Sequence, residues 1–283
     1  MKSLKKEKGI SVSNLTSHRA EKADINSTSS TKKGASAHVE NIFRRFSTIG
    51  FVLFLVPIAA VFIFCIAVAL TPGIMLFQWA GDHVASYPFI LKAFCYGLCG
   101  GGAFIGFIFT LILIVPIMNA PCLPFVKSYR GAWFSIESIP WFYHNALTYL
   151  VRYTVLDFLT PSPMNIFFFR AMGMKIGKGV MINSSNISDP CLIKLGDYVT
   201  VGGSAYMMAH YGMKGFLIID KLVIKKGAMI GLSAKILGGV TIGEKAVVAP
   251  NVAVLPKTII KDGEKFGIPV TNGSANPAET ESI

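Results

Sequence analysis

A strict six-residue period in the C-terminal part of the chain limits what this protein can fold into. A large apolar residue stands at every sixth position without a break, at Ile224, Ile230, Ile236, Ile242, Val248, Val254, Ile260 and Phe266. Small or β-branched residues stand two positions before most of them, at Ala228, Ala234, Val240, Ala246, Val252 and Thr258. Such a repeat predicts a coil with three short strands per turn, in which the large residue points into a narrow prism and glycine occupies corners where a Cβ would clash.

The same pattern occurs earlier in the chain, where it is interrupted. It begins with large residues at Ile176 and Ile182, slips by one residue, and resumes at Leu195 and Val201. A longer break then extends to Ile224. A sandwich of strands would need turn signals every ~8–12 residues and period-two alternation, and neither produces an unbroken series of hexads. We therefore predict a β-helix over residues 175–270, whose stacked coils bury one continuous aliphatic core.

The N-terminal half of the chain is too apolar for an ordinary soluble domain. Hydrophobic residues make up 52% of the sequence and charged residues 15%, with a mean hydropathy of +0.55. Residues 49–70 and 93–121 carry no charge. Each stretch is long enough to cross a bilayer as a helix, which takes about 20 residues. These features predict a two-helix transmembrane hairpin over residues 41–125.

Residues 126–174 are predicted to form interfacial or amphipathic linker helices. Within them, the segment 141–159 is apolar but carries His144, Arg152 and Asp157. A charge at mid-membrane costs about 2.5–3.5 kcal/mol, so we expect this segment at the membrane interface or packed against the helix pair. If it spans the membrane instead, the C-terminal domain faces the opposite compartment.

The basic charge of the chain is interpreted as a topology signal. The net charge is +12, and ten of the 27 Lys and Arg residues precede residue 46, directly before the first apolar stretch. Lys127 and Arg130 follow the second stretch. By the positive-inside rule we expect a multi-pass protein of the inner (plasma) membrane, with both termini and the β-helix in the cytosol. Because the basic residues lie beside the predicted membrane helices, their excess is explained by topology, and no nucleic-acid partner is expected.

The two ends of the chain and its cysteines carry weaker signals. Residues 1–40 form a basic, polar segment and residues 271–283 a short polar one, and both are predicted to be disordered tails. The five cysteines contain no Cys-x-x-Cys pair, so neither a disulfide framework nor a metal site is expected.

The repeat motifs resemble those of the hexapeptide-repeat acyltransferases, in a membrane-tethered form. Two examples are Ile230-Gly231-Leu232-Ser233-Ala234-Lys235 and Ile242-Gly243-Glu244-Lys245-Ala246-Val247. The resemblance covers about residues 166–270, where residues 169–177 look like the family's lead-in helix and residues 266–269 look like its closing segment. It implies a membrane plus all-β fold class: two transmembrane helices followed by a left-handed parallel β-helix with a short helical lead-in.

The resemblance also implies an activity. Enzymes of this family are typically homotrimers that bind acetyl-CoA or another acyl-CoA between neighbouring β-helices, and a histidine on a projecting loop serves as general base. The long break in the repeats contains His210, the only histidine of the repeat domain, so the resemblance carries this role to His210. Acyl transfer from a thioester to a hydroxyl or amine does need a base with a pKa near the working pH.

Taken together, these features predict an acyl-CoA-dependent O- or N-acyltransferase. Acetyl-CoA is the expected co-substrate, because acetyl is the family's commonest donor, and no permanently bound cofactor is expected. The expected partners are the lipid bilayer, the acyl-CoA and two further copies of the chain. A membrane tether suggests a membrane-associated or cell-envelope precursor as the acceptor.

Further site residues are expected on the same basis. Asn183, Ser184 and Asp220 are candidates for the acceptor pocket, although Asp220 could orient the imidazole of His210 or simply end the loop. The backbone groups that hold the pantetheine arm in the family would here include the residues Gly231, Leu232 and Ala249. Lys257 is a candidate to meet the nucleotide phosphates, and surface solvation is the alternative for it, because the Gly-Ala-Gly-Ser and Thr-Lys motifs of the family are replaced here.

Two alternatives come from other classes. A γ-type carbonic anhydrase uses the same fold but binds zinc through three histidines, which one histidine cannot supply. A catalytically silent β-helix, acting as a trimeric membrane scaffold, would retain the same glycine-rich coils, since a fold does not fix a function.

Overall fold

The computed structural model describes residues 34–45, 47–133 and 135–268. Its helices are α1 (Ala35–Arg45), α2 (Ser47–His83), α3 (Phe89–Asn119), α4 (Ile139–Thr154) and α5 (Pro163–Ala171). Helix α1 begins inside the segment that the sequence predicted to be a disordered tail. The predicted C-terminal tail, residues 271–283, lies outside the described residues.

Helices α2 and α3 form the apolar pair expected from the sequence. By length and composition, Leu55–His83 and Phe89–Asn119 could each cross a membrane. The two helices approach closely where small residues meet, because a Cβ on Gly73 would lie only 2.7 Å from the Cβ of Ala103. Many of their large apolar side chains point away from the rest of the protein and remain exposed, among them Phe64, Trp79 and Phe94.

The C-terminal half is a three-sided parallel β-helix of the kind that six-residue repeats build in left-handed coils. Its strands are two or three residues long: β2 (Lys175–Ile176), β3 (Met181–Ile182), β4 (Ile187–Ser188), β5 (Ile193–Leu195), β6 (Thr200–Val201), β7 (Tyr206–Met208), β10 (Leu222–Ile224), β11 (Met229–Ile230), β12 (Lys235–Ile236), β13 (Thr241–Ile242), β14 (Val247–Val248), β15 (Ala253–Val254), β16 (Ile259–Ile260) and β17 (Lys265–Phe266).

These strands form three parallel sheets, one on each side of the prism. The sheets have the orders β16-β13-β10-β5-β2, β17-β14-β11-β6-β3 and β15-β12-β7-β4, and are called here the first, second and third face. Ile224 pairs with Ile242, which in turn pairs with Ile260, so one full turn takes three hexads. The hexad positions from Ile224 to Ile260 are buried, which confirms the predicted core.

The hexad period extends one step further than the sequence indicated. Met207 stands six positions after Val201, is buried, and pairs with Ile236 on the third face. The insertion therefore begins after Met207. It folds into a hairpin of β8 (His210–Met213) and β9 (Phe216–Ile219). Strand β1 (Tyr129–Gly131), from the linker, pairs antiparallel with β9 and anchors this hairpin to the segment that follows α3.

Helix α4 lies between the apolar helix pair and the β-helix. On one side the Tyr143 hydroxyl donates to the carbonyl oxygen of Met118 at the end of α3, at 2.9 Å. On the other side α4 contacts β4. Of the two placements expected for residues 141–159, the structure has packing against the helix pair. This position matters for function, because it brings polar side chains of α4 onto the third face of the β-helix.

Candidate active site

His210 forms a short pair with a buried carboxylate. Its Nδ1 atom lies 2.6 Å from Oδ2 of Asp189, which is fully buried, whereas 17% of the His210 side chain remains exposed. The two residues come together because Asp189 directly follows β4 and His210 begins the hairpin after β7, and β4 and β7 are neighbours on the third face.

In the described structure the Asp189 carboxylate accepts three hydrogen bonds besides its contact with the His210 ring. Oδ1 accepts hydrogen bonds from the Trp141 indole N–H at 2.6 Å and from the Asn145 amide at 2.7 Å. Oδ2 accepts from the backbone N–H of Ala209 at 2.9 Å in addition to its contact with His210. A buried carboxylate needs such partners, since an unpaired one costs several kcal/mol.

The local backbone explains why the carboxylate points at the histidine. Asp189 has φ 59° and ψ 47°, in the left-handed region that Asp and Asn adopt more readily than other side chains. Pro190 follows and opens a short 3₁₀ turn, Pro190–Leu192. This turn holds two residues more than the period allows, because Leu195 stands eight positions after Ile187. Ile187 stands only five positions after Ile182, so the net result is the one-residue slip. On the next coil Gly238 lies beneath Ala209 and His210, and a Cβ there would come within 3.0 Å of the Ala209 backbone.

The pair fixes which nitrogen of His210 is free. Because an ionised carboxylate can only accept, the proton between the two side chains belongs to Nδ1, and the lone pair of Nε2 is left to accept a proton. The ring of Trp141 packs edge-on against the imidazole, with centroids 4.9 Å apart, and restricts its orientation. An oriented imidazole with a free Nε2 is the arrangement that general-base chemistry requires.

A second histidine lies behind the pair and plays a different part. His144 of α4 is fully buried, and its Nδ1 is 3.0 Å from the Asn119 side-chain oxygen at the end of α3. Burial lowers the pKa of His144 to about 4, although the nearby Asp189 carboxylate opposes the change. His144 is therefore neutral near pH 7, and it joins the apolar helix pair to the wall of the site.

One face of α4 follows the course of β4. Trp141, Asn145 and Tyr149 are spaced by one helical turn each, so they lie along one side of the helix. The Tyr149 hydroxyl is 3.0 Å from the Ser188 hydroxyl. Further on, Arg152 donates to the Asn186 side-chain oxygen at 2.5 Å. Helix α4 thus runs antiparallel to β4, from the His210 corner of the third face to the opposite corner.

A polar pocket of about 330 Å³ lies at that opposite corner, which is called here the polar pocket. It is lined by Asp157, Thr160, Asn183, Ser184, Ser185, Asn186, Gly203 and Ser204. The Ser185 hydroxyl donates to the Asp157 carboxylate, which joins the 3₁₀ turn after α4 to the first coil. The pocket therefore includes two of the three residues predicted to bind the acceptor, Asn183 and Ser184.

Asp220 is not brought to that pocket. It lies at the end of the hairpin, where its backbone N–H donates to the Ala209 carbonyl and its carboxylate accepts from the Lys221 N–H. It forms no hydrogen bond with His210 in the described structure, and Asp189 occupies the position next to the imidazole. Of the two roles considered for Asp220, the structure has the one that ends the loop.

The residues predicted to hold acyl-CoA fall on two corners of the prism. Gly231, Leu232 and Ala249 share the corner that carries the polar pocket, and a Cβ on Gly231 would lie 2.7 Å from the Ala249 backbone. Lys257 lies on the His210 corner, where its backbone N–H donates to the Gly238 carbonyl. Among the described residues no three His, Cys, Asp or Glu side chains are grouped as ligands for a metal ion.

Three residues of the site were missed by the sequence reasoning: Asp189, Trp141 and Asn145. The available signal for Asp189 was the slip of the hexad period at the Asp-Pro step, which marks a coil that departs from the repeat as clearly as the insertion around His210 does. No periodic signal pointed to Trp141 or Asn145, because they reach the site only through the packing of α4 on the third face.

Comparisons with solved structures give weak global matches. A hexapeptide-repeat-containing acetyltransferase from Vibrio cholerae is 16% identical, with a TM-score of 0.33 and coverage of 42% of this chain and 82% of that chain. Serine acetyltransferase from Neisseria gonorrhoeae in complex with serine is 15% identical, with a TM-score of 0.26 and coverage of 66% and 92%. An N-acyltransferase from Bacillus cereus in complex with dTDP and coenzyme A is 16% identical, with a TM-score of 0.23 and coverage of 36% and 83%.

No protein-family model and no curated protein matches the chain. Because the TM-scores lie below 0.5, the fold assignment rests on the chain's own sheet topology. That topology and the site define a class: a hexapeptide-repeat parallel β-helix, preceded by two long apolar helices, with a buried Asp–His pair beside its insertion.

Proposed function

We propose that this protein is an acyl-CoA-dependent acyltransferase that acts on a hydroxyl or amine of a membrane-associated acceptor. The observation that carries the proposal is the 2.6 Å pair between Asp189 and His210 at the insertion in the coils. The Asp189 carboxylate is buried with three dedicated donors, whereas in the described structure the regular coils close without any buried charge. The pair is therefore better explained by chemistry at His210 than by a need of the coil.

The proposed chemistry follows from the free Nε2 of His210. As the acceptor oxygen or nitrogen attacks the thioester carbonyl, its proton passes to Nε2, and the imidazolium is stabilised by Asp189. The tetrahedral intermediate collapses with cleavage of the carbon–sulfur bond. The CoA sulfur leaves with the electron pair and takes the proton from Nε2, so His210 returns to its neutral form.

The proposed assembly is a homotrimer held at a membrane by α2 and α3. In this arrangement the acyl-CoA would lie along the corners of the coils, with the pantetheine arm beside Gly231, Leu232 and Ala249 and a phosphate near Lys257. The β-helix and both termini are proposed to lie in the cytosol, which the charge asymmetry of the flanking segments supports. Binding both substrates side by side would contribute through proximity as well as proton transfer.

The test compares His210→Ala with His83→Ala in the full chain, reconstituted in lipid nanodiscs. Acyl-CoA binding is measured by calorimetry, and thioester cleavage by release of free CoA. We expect His210→Ala to lower the cleavage rate by about 10²-fold or more while acyl-CoA affinity is kept, because general-base catalysis contributes about 10²–10⁴-fold. His83, which is exposed at the end of α2, is the matched control and its replacement is expected to change neither quantity.

Two results would contradict the proposal. Wild-type protein that fails to bind acetyl-CoA and longer acyl-CoAs, or a His210→Ala variant with full activity, would favour the catalytically silent membrane scaffold instead.

A further inference from the structure

We infer that the polar pocket binds the polyhydroxylated head group, such as a sugar ring, of an acceptor that is itself anchored in the lipid. The inference rests on the proposed acyltransferase function and narrows its acceptor. It starts from the position of the pocket on the third face. Asn186 lines the pocket and Asp189 holds His210, and the two stand three positions apart along the chain, which corresponds to about 10 Å in an extended backbone. An acceptor with its head group in the pocket therefore lies within the length of a small oligosaccharide from Nε2.

The lining of the polar pocket suits hydroxyl groups. Asp157 offers carboxylate oxygens as acceptors, whereas the amide of Asn183 and the hydroxyl of Ser204 can each donate and accept. No hydrogen bond of the Asn183 side chain is found within the described structure, so its amide is available to a ligand. A polyol presents neighbouring donors and acceptors, and its pattern matches this mixture of groups better than an apolar ligand would.

An amine would be a poorer match for the same pocket. Its only carboxylate, Asp157, already accepts a hydrogen bond from the Ser185 hydroxyl. Close by, Arg152 donates to Asn186, whose side chain also lines the pocket, so a positive charge is present at this edge. A cationic head group would meet that guanidinium at short range, whereas a neutral polyol would not.

Aromatic side chains border the path between the pocket and His210. The Arg152 guanidinium lies over the rings of Tyr149, Tyr153 and Tyr206, at 5.6, 5.1 and 5.8 Å from their centroids. Arg152 thereby contacts all three rings, while Tyr153 remains 73% exposed. Exposed aromatic rings offer apolar faces against which the C–H face of a sugar ring can pack.

The edge of the pocket adjoins apolar surface that belongs to the membrane-facing part of the protein. Phe158, next to Asp157 in the chain, is 68% exposed and packs edge-on against Phe104 of α3, with centroids 5.2 Å apart. Phe104 and its neighbour Ile105 are themselves exposed. A lipid tail attached to a head group in the pocket would therefore leave it along this surface instead of entering water.

The experiment measures binding of defined probes to the full chain in nanodiscs, with empty nanodiscs subtracted. The probes are dodecyl glucoside, free glucose and dodecylamine. The variants are Asp157→Asn, which keeps the volume of the side chain, and Asn183→Ala, whose exposed side chain does not support the fold. Glu244→Gln is the matched control, because Glu244 is an exposed carboxyl residue on a different corner of the coils.

We expect wild-type protein to bind dodecyl glucoside at least tenfold more tightly than free glucose. Asp157→Asn and Asn183→Ala are expected to weaken that binding by about fivefold to tenfold, in line with the loss of one hydrogen bond to a buried ligand. Glu244→Gln is expected to bind the glucoside as the wild-type protein does.

Three results would overturn the inference. Unchanged glucoside binding in both pocket variants would show that the pocket takes no part in recognising the acceptor. If dodecylamine bound more tightly than dodecyl glucoside and Asp157→Asn abolished that binding, the pocket would be a site for an amine head group. Equal affinity for glucose and dodecyl glucoside would exclude the lipid anchor. Because glucoside binding is measured without acyl-CoA, a failure of the acyltransferase proposal would show separately, as loss of acyl-CoA binding or of the His210 dependence.

Discussion

The first two coils and the later coils of the β-helix are built from the same repeat but differ in what they bury. In the described residues, no buried polar or charged side chain lies between residues 222 and 260, whereas the first coil buries several. The later coils fill their prism with aliphatic side chains and join their turns by backbone hydrogen bonds. The first coils are covered by α4 and bury Ser184, Ser188 and Asp189 beneath it.

This difference separates a structural region from a reactive one. Regular hexads satisfy their backbone groups within the sheets and need nothing from the rest of the chain. The slip at Asp189 and the insertion at His210 break that regularity on neighbouring coils. The Asp189 carboxylate is hydrogen-bonded by side chains of α4. We expect mutations in the two regions to have separable effects: on activity in the first coils and on stability in the later ones.

The largest expected effect is that of Asp189→Asn on catalysis. The substitution keeps the shape of the side chain but removes the charge that fixes the proton on Nδ1 of His210, so we expect kcat to fall by about 10²–10³-fold with little change in acyl-CoA affinity. The measurement is CoA release as a function of acyl-CoA concentration.

Two other carboxylates serve as controls for Asp189. Asp197 accepts a hydrogen bond from the Lys178 backbone at 2.8 Å on a corner of the coils away from His210, and Asp220 accepts one from Lys221. Their conversion to Asn is expected to change kcat by less than about threefold, since neither touches the imidazole. A comparable loss of kcat in either control would show that the effect of Asp189→Asn does not come from its pair with His210.

The second prediction concerns the later coils and uses two adjacent residues of the same type. Ile260 points into the prism and is 1% exposed, whereas Ile259 points outward and is 74% exposed. Ile260→Ala should lower the free energy of unfolding by about 2–5 kcal/mol, and Ile259→Ala by no more than about 0.5 kcal/mol. Denaturant unfolding in detergent measures both. Equal effects would mean that the prism is not the source of stability in this region.

The smallest expected effect is the pH dependence that His144 gives the first coils. Its folded-state pKa of about 4 lies below the ordinary value of 6.5, so between these values the unfolded chain binds a proton that the folded chain does not. Stability therefore falls as the pH decreases through this window, by about 3 kcal/mol at pH 4, since each pKa unit corresponds to about 1.4 kcal/mol.

His144→Gln isolates this contribution, because glutamine can still bond to Asn119 but does not titrate. The difference between wild-type and variant unfolding free energies should change between pH 6.5 and pH 4 and stay constant above pH 7.5. A difference that does not depend on pH would show that His144 is accessible to protons in the folded protein.

Much of the architecture could be predicted from local sequence patterns. The hexads from Ile224 to Phe266 predicted the coils because each large residue has the same environment, and the uncharged stretches predicted α2 and α3. His210 could be found for a related reason: it is the only histidine where the period fails. In these cases a few neighbouring residues carry the signal, and the period repeats that signal many times along the chain.

Only the tertiary structure decided how the site is completed. Asp189 meets His210 because coils stack at a distance of about one turn, and Trp141 and Asn145 meet Asp189 because α4 packs against the third face. These contacts join residues that are 21 to 48 positions apart, and no regular spacing along the chain encodes them. The sequence by itself determined the coils and the apolar helices, since both follow from periodic burial. The partner of the imidazole was decided by packing between elements, which depends on surfaces that exist only once the chain has folded.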